Sequence, residues 1–273
     1  MTDRSNPPIR AEAEIVAIGD EGGANRRLSL RVTGWPGFDP GQFVMLSPGP
    51  STAVPRSDPL LPRPMAVYRA SARGGAADVE ILFKVTGRGT ALLGAARLGE
   101  RVRVVGPLGR GFPQPEPGER AVIVAGGTGV ASVYELAARL APAIGVRVLL
   151  GARTRDDLLG RDDFASLDVA LEIATDDGSE GAHGVVTDLL AAALDGDGEA
   201  RIYACGPTAM MRRAAVIAAE RRRPCIASLE NPMACGFGVC LGCAVPLRKG
   251  GFALVCRDGP MFDAATLAWE GLS

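Results

Sequence analysis

The sequence predicts an antiparallel β-barrel, then an α/β half with a parallel sheet, then a small cysteine-rich segment. Three observations carry this. Apolar residues alternate with period two through much of residues 1–115, with no long helix. From residue 120 apolar strand-like runs alternate with helix-periodic stretches, the signature of βαβ units. Four of the six cysteines crowd into residues 233–260. The expected divisions are 1–115, 116–225 and 226–273, and a chain of 273 residues suits about two domains.

The barrel strands follow in order. "AEAEIVAI" comes first, then "RRLSLRV", in which Leu28, Leu30 and Val32 alternate. "QFVMLSP" and "RPMAVYRA" are the next two. Val79, Ile81, Phe83 and Val85 alternate in "ADVEILFKV", as do Val102 and Val104 in "RVRVV". Turns rich in Gly and Pro, such as "GWPGFDPG" and "SPGPSTAVP", separate them. About six short strands of this kind suit a closed barrel. "GPLGRGFPQPEPGER", 106–120, marks the border. Beyond it "RAVIVAGGTGV" is a strand entering a glycine turn, and "VASVYELAARLAPA" is a helix. "VRVLLGA", "VALEIAT", "RIYACG" and "CIASLE" read as strands, and "VVTDLLAAAL" and "PTAMMRRAAVIAAERR" as helices.

Several function classes drop out on composition. Net charge is −1 with no basic stripe, so nucleic acid is not an expected partner. Arg212–Arg213 and Arg221–Arg223 read as the solvated face of one helix. No apolar run is long enough to span a bilayer. The polar start "MTDRSNPPIRAEAE" lacks the apolar core of a secretion signal, which points to the cytoplasm. The single histidine, His183, excludes multi-histidine metal sites and reads as a loop residue. Chemistry here must rest on cofactors.

Cys235, Cys240, Cys243 and Cys256 are spaced C-x4-C-x2-C-x12-C. That is the ligand spacing of plant-type [2Fe–2S] centres. Glycines 236, 238 and 242 would let backbone wrap closely around an inorganic core. Structural zinc sites favour two separated pairs, so zinc is the second reading and plain structural thiols the third. Cys205 and Cys225 lie outside the spacing. "GGTG", 126–129, joins a strand to a helix and could bind an anion at the helix N-terminus. "YACGP", 203–207, would bring a second turn to the same carboxyl edge of the sheet. Gly87-Arg88-Gly89-Thr90 forms a third glycine loop. Each of these turns alone reads equally well as a plain connection.

Together, "RPMAV", "LFKVTGRGT", "VAGGTGVASVYELA" and "YACGP" resemble the ferredoxin–NADP reductase superfamily. "SLENPMACGFGVCLGC…VCRDGPMF" looks like the electron-transfer subunits of class 1B dihydroorotate dehydrogenases, and the resemblance runs through the chain in order. It implies an FAD-binding barrel, an NAD-binding Rossmann-like half and a [2Fe–2S] segment. Arg63, Pro64, Met65 and Ala66 would meet the flavin and its phosphates, with Arg63 mattering more than Arg56. Leu82, Phe83 and Lys84 would line FAD, and Gly89 and Thr90 would hold its pyrophosphate. Gly126, Gly127 and Gly129 would cradle NAD, with Cys205, Gly206 and Pro207 facing the nicotinamide. No catalytic base is implied. The implied partner is an FMN-containing dihydroorotate dehydrogenase catalytic subunit, two of each chain per assembly. A surface-proximal cluster needs a docking face, and "PLRKGGFAL" would supply it, with Phe252 and Leu254 as apolar contacts and Arg248 and Lys249 at the rim. Phe252 and Leu254 read equally well as a small local core under the cluster.

Two departures from the family pattern stand out: Ala66 replaces a usual serine, and Ser132 a usual proline. Glu230 keeps the pattern, near the flavin or as a cap. Arg153 or Arg155 could pair with a 2′-phosphate and favour NADPH over the expected NAD, or could be solvated surface charges. A flavin/iron–sulfur subunit of a hydrogenase, sulfide dehydrogenase or ferredoxin:NAD(P) transhydrogenase would look similar. A zinc-stabilised binding module is the non-enzyme alternative.

Overall fold

The computed structural model describes residues 6–49, 59–195 and 198–272. Its first half holds β1 (Ile9–Asp20), β2 (Asn25–Thr33), β3 (Phe43–Leu46), β4 (Arg63–Ala66), β5 (Arg69–Arg73), β6 (Ala76–Lys84), α1 (Arg88–Gly94) and β7 (Arg101–Leu108). The strands pair antiparallel in the order β4-β3-β7-β1-β2-β6-β5. The alternating residues Leu28, Leu30, Val32, Val79, Ile81, Phe83, Val102 and Val104 all face one buried core.

Two details differ from expectation. "RPMAVYRA" is not one strand, because β4 pairs with β3 and β5 pairs with β6. Val67 and Tyr68 carry the chain between the two edges. Their amides donate to the Gln42 and Glu80 carbonyls at 3.0 and 2.9 Å, which draws the edges of the barrel together. The Gly87–Thr90 stretch is not a loop but the start of α1. Thr90 Oγ1 accepts from the Thr86 and Gly87 amides at 2.9 and 3.1 Å, and Leu93 anchors the helix at 0% exposure.

The second half holds β8 (Arg120–Gly126), α2 (Val130–Leu140), β9 (Val146–Ala152), α3 (Arg161–Ala165), β10 (Ala170–Thr175), β11 (Ala182–His183), α4 (Val186–Ala193), β12 (Ala200–Cys205), α5 (Thr208–Glu220) and β13 (Cys225–Ser228). The C-terminal segment adds the hairpin of β14 (Ala244–Pro246) and β15 (Phe252–Leu254), then β16 (Met261–Asp263). The sheet order is β11-β10-β9-β8-β12-β13-β16, parallel except where β16 runs against β13. Along β8, Val122 and Val124 face the core under α4 and α5, while Ala121, Ile123 and Ala125 face α2. A strand covered on both faces reads as a continuous apolar run. Sequence reading missed α3 and β11; exposed His183 sits in that short edge strand. No described helix is long and apolar enough to cross a membrane.

Among the contacts that join the halves, two bear on the site. On one side Asp163 of α3 accepts from Arg27 (2.6 Å), the Tyr68 hydroxyl (2.7 Å) and Arg69 (3.1 Å), all barrel residues. On the other side Phe43, Met45 and Leu108 of the barrel share a core with Cys243, Val255 and Cys256 of the C-terminal segment.

Candidate functional site

A cleft of about 1040 Å³ opens along the carboxyl ends of the parallel strands. Gly126, Gly127 and Gly129 line one wall, and Gly206 and Pro207 the facing turn. The two turns interlock. A Cβ on Gly129 would stand 2.3 Å from the Cys205 carbonyl oxygen, so only glycine lets them approach. Gly127, at φ +54°, has no atom within 4 Å of its missing side chain and faces open space just before α2. Backbone amides at such a helix start suit a phosphate. Cys205 differs from expectation: its thiol is at 0% exposure, 3.7 Å from the Ser228 carbonyl. Burial, and then the nearby Glu230 charge, push it up to about 12. The Cys205 backbone shapes the cleft, and its sulfur does not line it.

At the far end of the cleft, Arg153 lies 3.4 Å from Asp157, and Asp157 and Asp176 line the wall beside it. Arg155 is turned away, donating to the Ser179 carbonyl at 2.7 Å. Arg153 itself is 73% exposed and lines the cleft between these carboxylates.

A second cleft of about 410 Å³ lies between the halves. Arg63, Pro64, Met65 and Ala66 of β4, Leu82, Phe83 and Lys84 of β6, and Thr90 of α1 all line it. Gly89 does not reach it. A Cβ there would stand 2.5 Å from Arg63 Nε, so this glycine makes room for the guanidinium. Arg63 also donates to the Leu61 carbonyl at 2.8 Å. Arg56 lies outside the described residues. Ser132 faces this cleft from α2, and Glu230 lines both clefts, together with Lys84, Thr128, Leu229 and Asn231. Burial against its neighbours raises the Glu230 carboxyl, although its side chain opens into the cleft.

The four spaced cysteines form two pairs. Cys243 and Cys256 are buried with their sulfurs 3.2 Å apart, and the Cys256 amide donates to Cys243 Sγ at 3.4 Å. Burial, and then the Cys243 thiol, push Cys256 up to about 12. Cys235 contacts Cys240 at the surface. Burial opposes its ionisation, but the amides of Cys240, Phe237 and Val239 and the Cys240 thiol outweigh that and bring it down to about 6. No three ligand-type side chains among the described residues are gathered about one metal position. Gly236, at φ +83°, sets the loop against the barrel: a Cβ would stand 2.5 Å from Met45 Cγ. Of the expected docking residues, Phe252 is 74% exposed and Leu254 is buried. Arg248 and Lys249 are exposed. Sequence reading missed Phe237, Val239 and Leu241, exposed large apolar residues around Cys240. Their alternation with Cys and Gly in "CGFGVCLGC" was the available signal.

Residues 230–268 match the family model for the iron-sulfur cluster binding domain of dihydroorotate dehydrogenase B, and residues 123–215 that for the oxidoreductase NAD-binding domain. The chain is 39% identical to the "dihydroorotate dehydrogenase B (NAD(+)), electron transfer subunit" of Desulforamulus reducens, covering 85% of this chain and 87% of the relative. The subunit of the same name from Bacillus caldolyticus is 41% identical, with coverages of 82% and 85%. A solved structure of an NADH-dependent reduced ferredoxin-NADP oxidoreductase, described for flavin-based electron bifurcation, superposes with a TM-score of 0.82. It is 28% identical and covers 95% of this chain and 91% of that one. The ferredoxin reductase of carbazole 1,9a-dioxygenase, 23% identical over 81% and 68%, shares the fold with a TM-score of 0.69.

Proposed function

The chain belongs to the family of dihydroorotate dehydrogenase B (NAD(+)) electron transfer subunits, and from that premise we propose that it carries electrons from a catalytic dihydroorotate dehydrogenase subunit to NAD+. The observation that carries the reading is the shared wall. The barrel-side cleft and the glycine-turn cleft have Lys84, Thr128, Leu229, Glu230 and Asn231 in common, so two ligands bound there would touch. FAD in the first, NAD in the second and a [2Fe–2S] cluster on the thiols make a chain in which flavin exchanges hydride with nicotinamide and single electrons with the cluster.

The donor set fits the cluster. A two-iron core takes two terminal thiolates per iron, and the thiols stand as two pairs. Amides already aimed at Cys235 favour its thiolate, the form that binds metal. In this reading Arg63, freed by Gly89, meets the flavin phosphates, and Leu82, Phe83 and Met65 exclude water from its ring. Thr90 and Pro64 shape the phosphate end. The Gly126–Gly129 turn, with Gly206 and Pro207, holds the nicotinamide dinucleotide. The two carboxylates beside Arg153 favour NAD over NADP.

We divide the chain at 1–115, 116–225 and 226–273, supported by the break between β7 and β8; the last division falls inside β13. Phe237, Val239, Leu241 and Phe252 around exposed Cys240 suit a docking face with an apolar centre. Arg248 and Lys249 would stand at its rim. The partner is an FMN-containing catalytic subunit, assembled two and two in the cytoplasm. One observation favours a second reading, a ferredoxin:NAD(P) transhydrogenase subunit: the likeness to the bifurcating oxidoreductase. The test is an iron, sulfide and flavin assay with a visible spectrum, then co-expression with an FMN-containing dihydroorotate dehydrogenase subunit. One FAD and one [2Fe–2S] per chain are expected, with the cluster signal lost in Cys240→Ser. Dihydroorotate oxidation should couple to NAD+ only in the pair. A colourless protein, or coupling only to a transhydrogenase-type subunit, would overturn the assignment.

A further inference from the structure

Tyr68 is fully buried at the junction of the two halves, two residues beyond the flavin-cleft residue Ala66. Its hydroxyl donates to Asp163 of α3 at 2.7 Å. Its ring lies on Tyr134 of α2, with centroids 4.5 Å apart and planes 29° apart. The Arg27 guanidinium covers the Tyr68 ring at 4.9 Å and also reaches Asp163. Tyr134 in turn meets Phe164 of α3 edge-on at 5.2 Å. Tyr68 lies in the connection from β4 to β5, with its amide on the Glu80 carbonyl of β6, so one residue ties the end of β4 to α2 and α3. β4 supplies Arg63–Ala66 to one wall of the 410 Å³ cleft, and α2 supplies Ala131 and Ser132 to another. The glycine turn that leads into α2 lines the larger cleft.

We propose that Tyr68, held by Asp163, is a positioning residue for electron exchange between the two clefts. It touches neither ligand. It fixes the chain directly beyond β4 against α2, and so fixes how a flavin on β4 overlaps a nicotinamide on the glycine turn. This rests on the functional reading above. The geometry supports positioning over simple packing for two reasons. A buried phenol hydroxyl aimed at a carboxylate defines one orientation, whereas apolar packing of the same ring would tolerate several. The same Asp163 also gathers Arg27 and Arg69 from separate barrel strands, so one carboxylate registers several barrel strands at once. A displacement near 1 Å between reacting groups costs up to about 100-fold in rate, whereas ligand affinity is far less sensitive to it.

The test compares FAD-loaded wild type with Tyr68→Phe and Asp163→Asn, two variants that keep shape and volume. NADH is mixed with each by stopped flow. Tyr68→Phe should slow maximal flavin reduction about tenfold, leave the NADH concentration for half-maximal rate within about twofold, and weaken the long-wavelength absorbance of the stacked flavin–nicotinamide pair. FAD affinity, measured on apo-protein by fluorescence quenching, should change less than about twofold. Asp163→Asn should move the rate and the absorbance in the same direction. Lowered thermal stability with unchanged rate and absorbance would overturn the proposal, leaving Tyr68 a packing residue. FAD affinity falling in proportion to the rate would overturn it too, by making the effect one of binding. If NADH failed to reduce wild type, the functional reading would fall and this inference with it; reduction of wild type and both variants alike sinks the inference alone.

Discussion

The barrel meets the rest of the chain in two unlike ways. At α3 the contact is charged: Asp163 holds Arg27, Tyr68 and Arg69, and Arg27 and Arg69 both reach Glu80 as well. At the cluster loop it is apolar: Gly236 lies against Met45 and Leu108, and the buried cysteines join the same core. The charged contact is directional. It costs desolvation to form and fixes an angle more than it adds stability. The apolar contact is the reverse, since burial stabilises in proportion to area and specifies little. The molecule thus places its orienting contact beside the two clefts and its stabilising contact beneath the thiols.

Breaking the apolar side should have the largest effect. Met45→Ala leaves a cavity under Gly236 and should cost about 2–4 kcal/mol; urea unfolding measures it, and iron content should fall as the loop loses its support. Asp163→Ala should cost about 2 kcal/mol. That is less than for a fully buried pair, because Asp163 keeps 23% of its side-chain exposure; iron content should stay at the wild-type level. The two contacts also separate by pH. Burial works against ionised Asp163, but Arg27, Tyr68 and Arg69 outweigh it and hold the carboxyl below the usual aspartate value. A depressed pKa gives stability that is present above the unfolded value, near pH 4, and is lost as pH falls through the folded one. Acid unfolding of wild type should therefore steepen below about pH 4, and that steepening should be reduced in Asp163→Ala while persisting in Met45→Ala.

Smaller effects mark the cofactor face and the free surface. Arg63→Ala should weaken FAD binding about tenfold, a partly exposed charge-assisted contact, without unfolding the barrel; equilibrium dialysis reads it. Phe252→Ser should leave the stability of the isolated chain within about 0.5 kcal/mol. Its effect should appear only as faster dissociation of the catalytic subunit in surface-binding kinetics.

Much of this was legible because it is periodic. Leu28, Leu30 and Val32 alternate along β2, and β8 runs apolar because both its faces are covered. The cysteine spacing was legible because all four thiols fall within one short segment, Cys235 to Cys256. Four things were not legible. α1 hides behind glycines, since its start depends on the Thr90 hydroxyl bonding back to the Thr86 and Gly87 amides. The burial of the Cys205 sulfur was hidden because a strand end does not say which way its last side chain points. The Asp163 contact joins residues 136 positions apart in sequence, and no local pattern encodes such a meeting. Leu254 is buried while Phe252, at the turn end of the β14–β15 hairpin, is 74% exposed, although both fall on the same face of the strand by alternation.

The antiparallel strand β16 has a consequence for how this chain can be divided. It pairs with β13 through Ile226, Ala227 and Ser228, and β13 would otherwise end the sheet. A bare sheet edge is a template for pairing with other chains. A reductase half cut away after Leu229 would expose the β13 edge, and it should self-associate into strand-paired aggregates rather than remain a tractable fragment. The cysteine-bearing segment is thus also the lid on the sheet, and it cannot be swapped between proteins like a bead on a string.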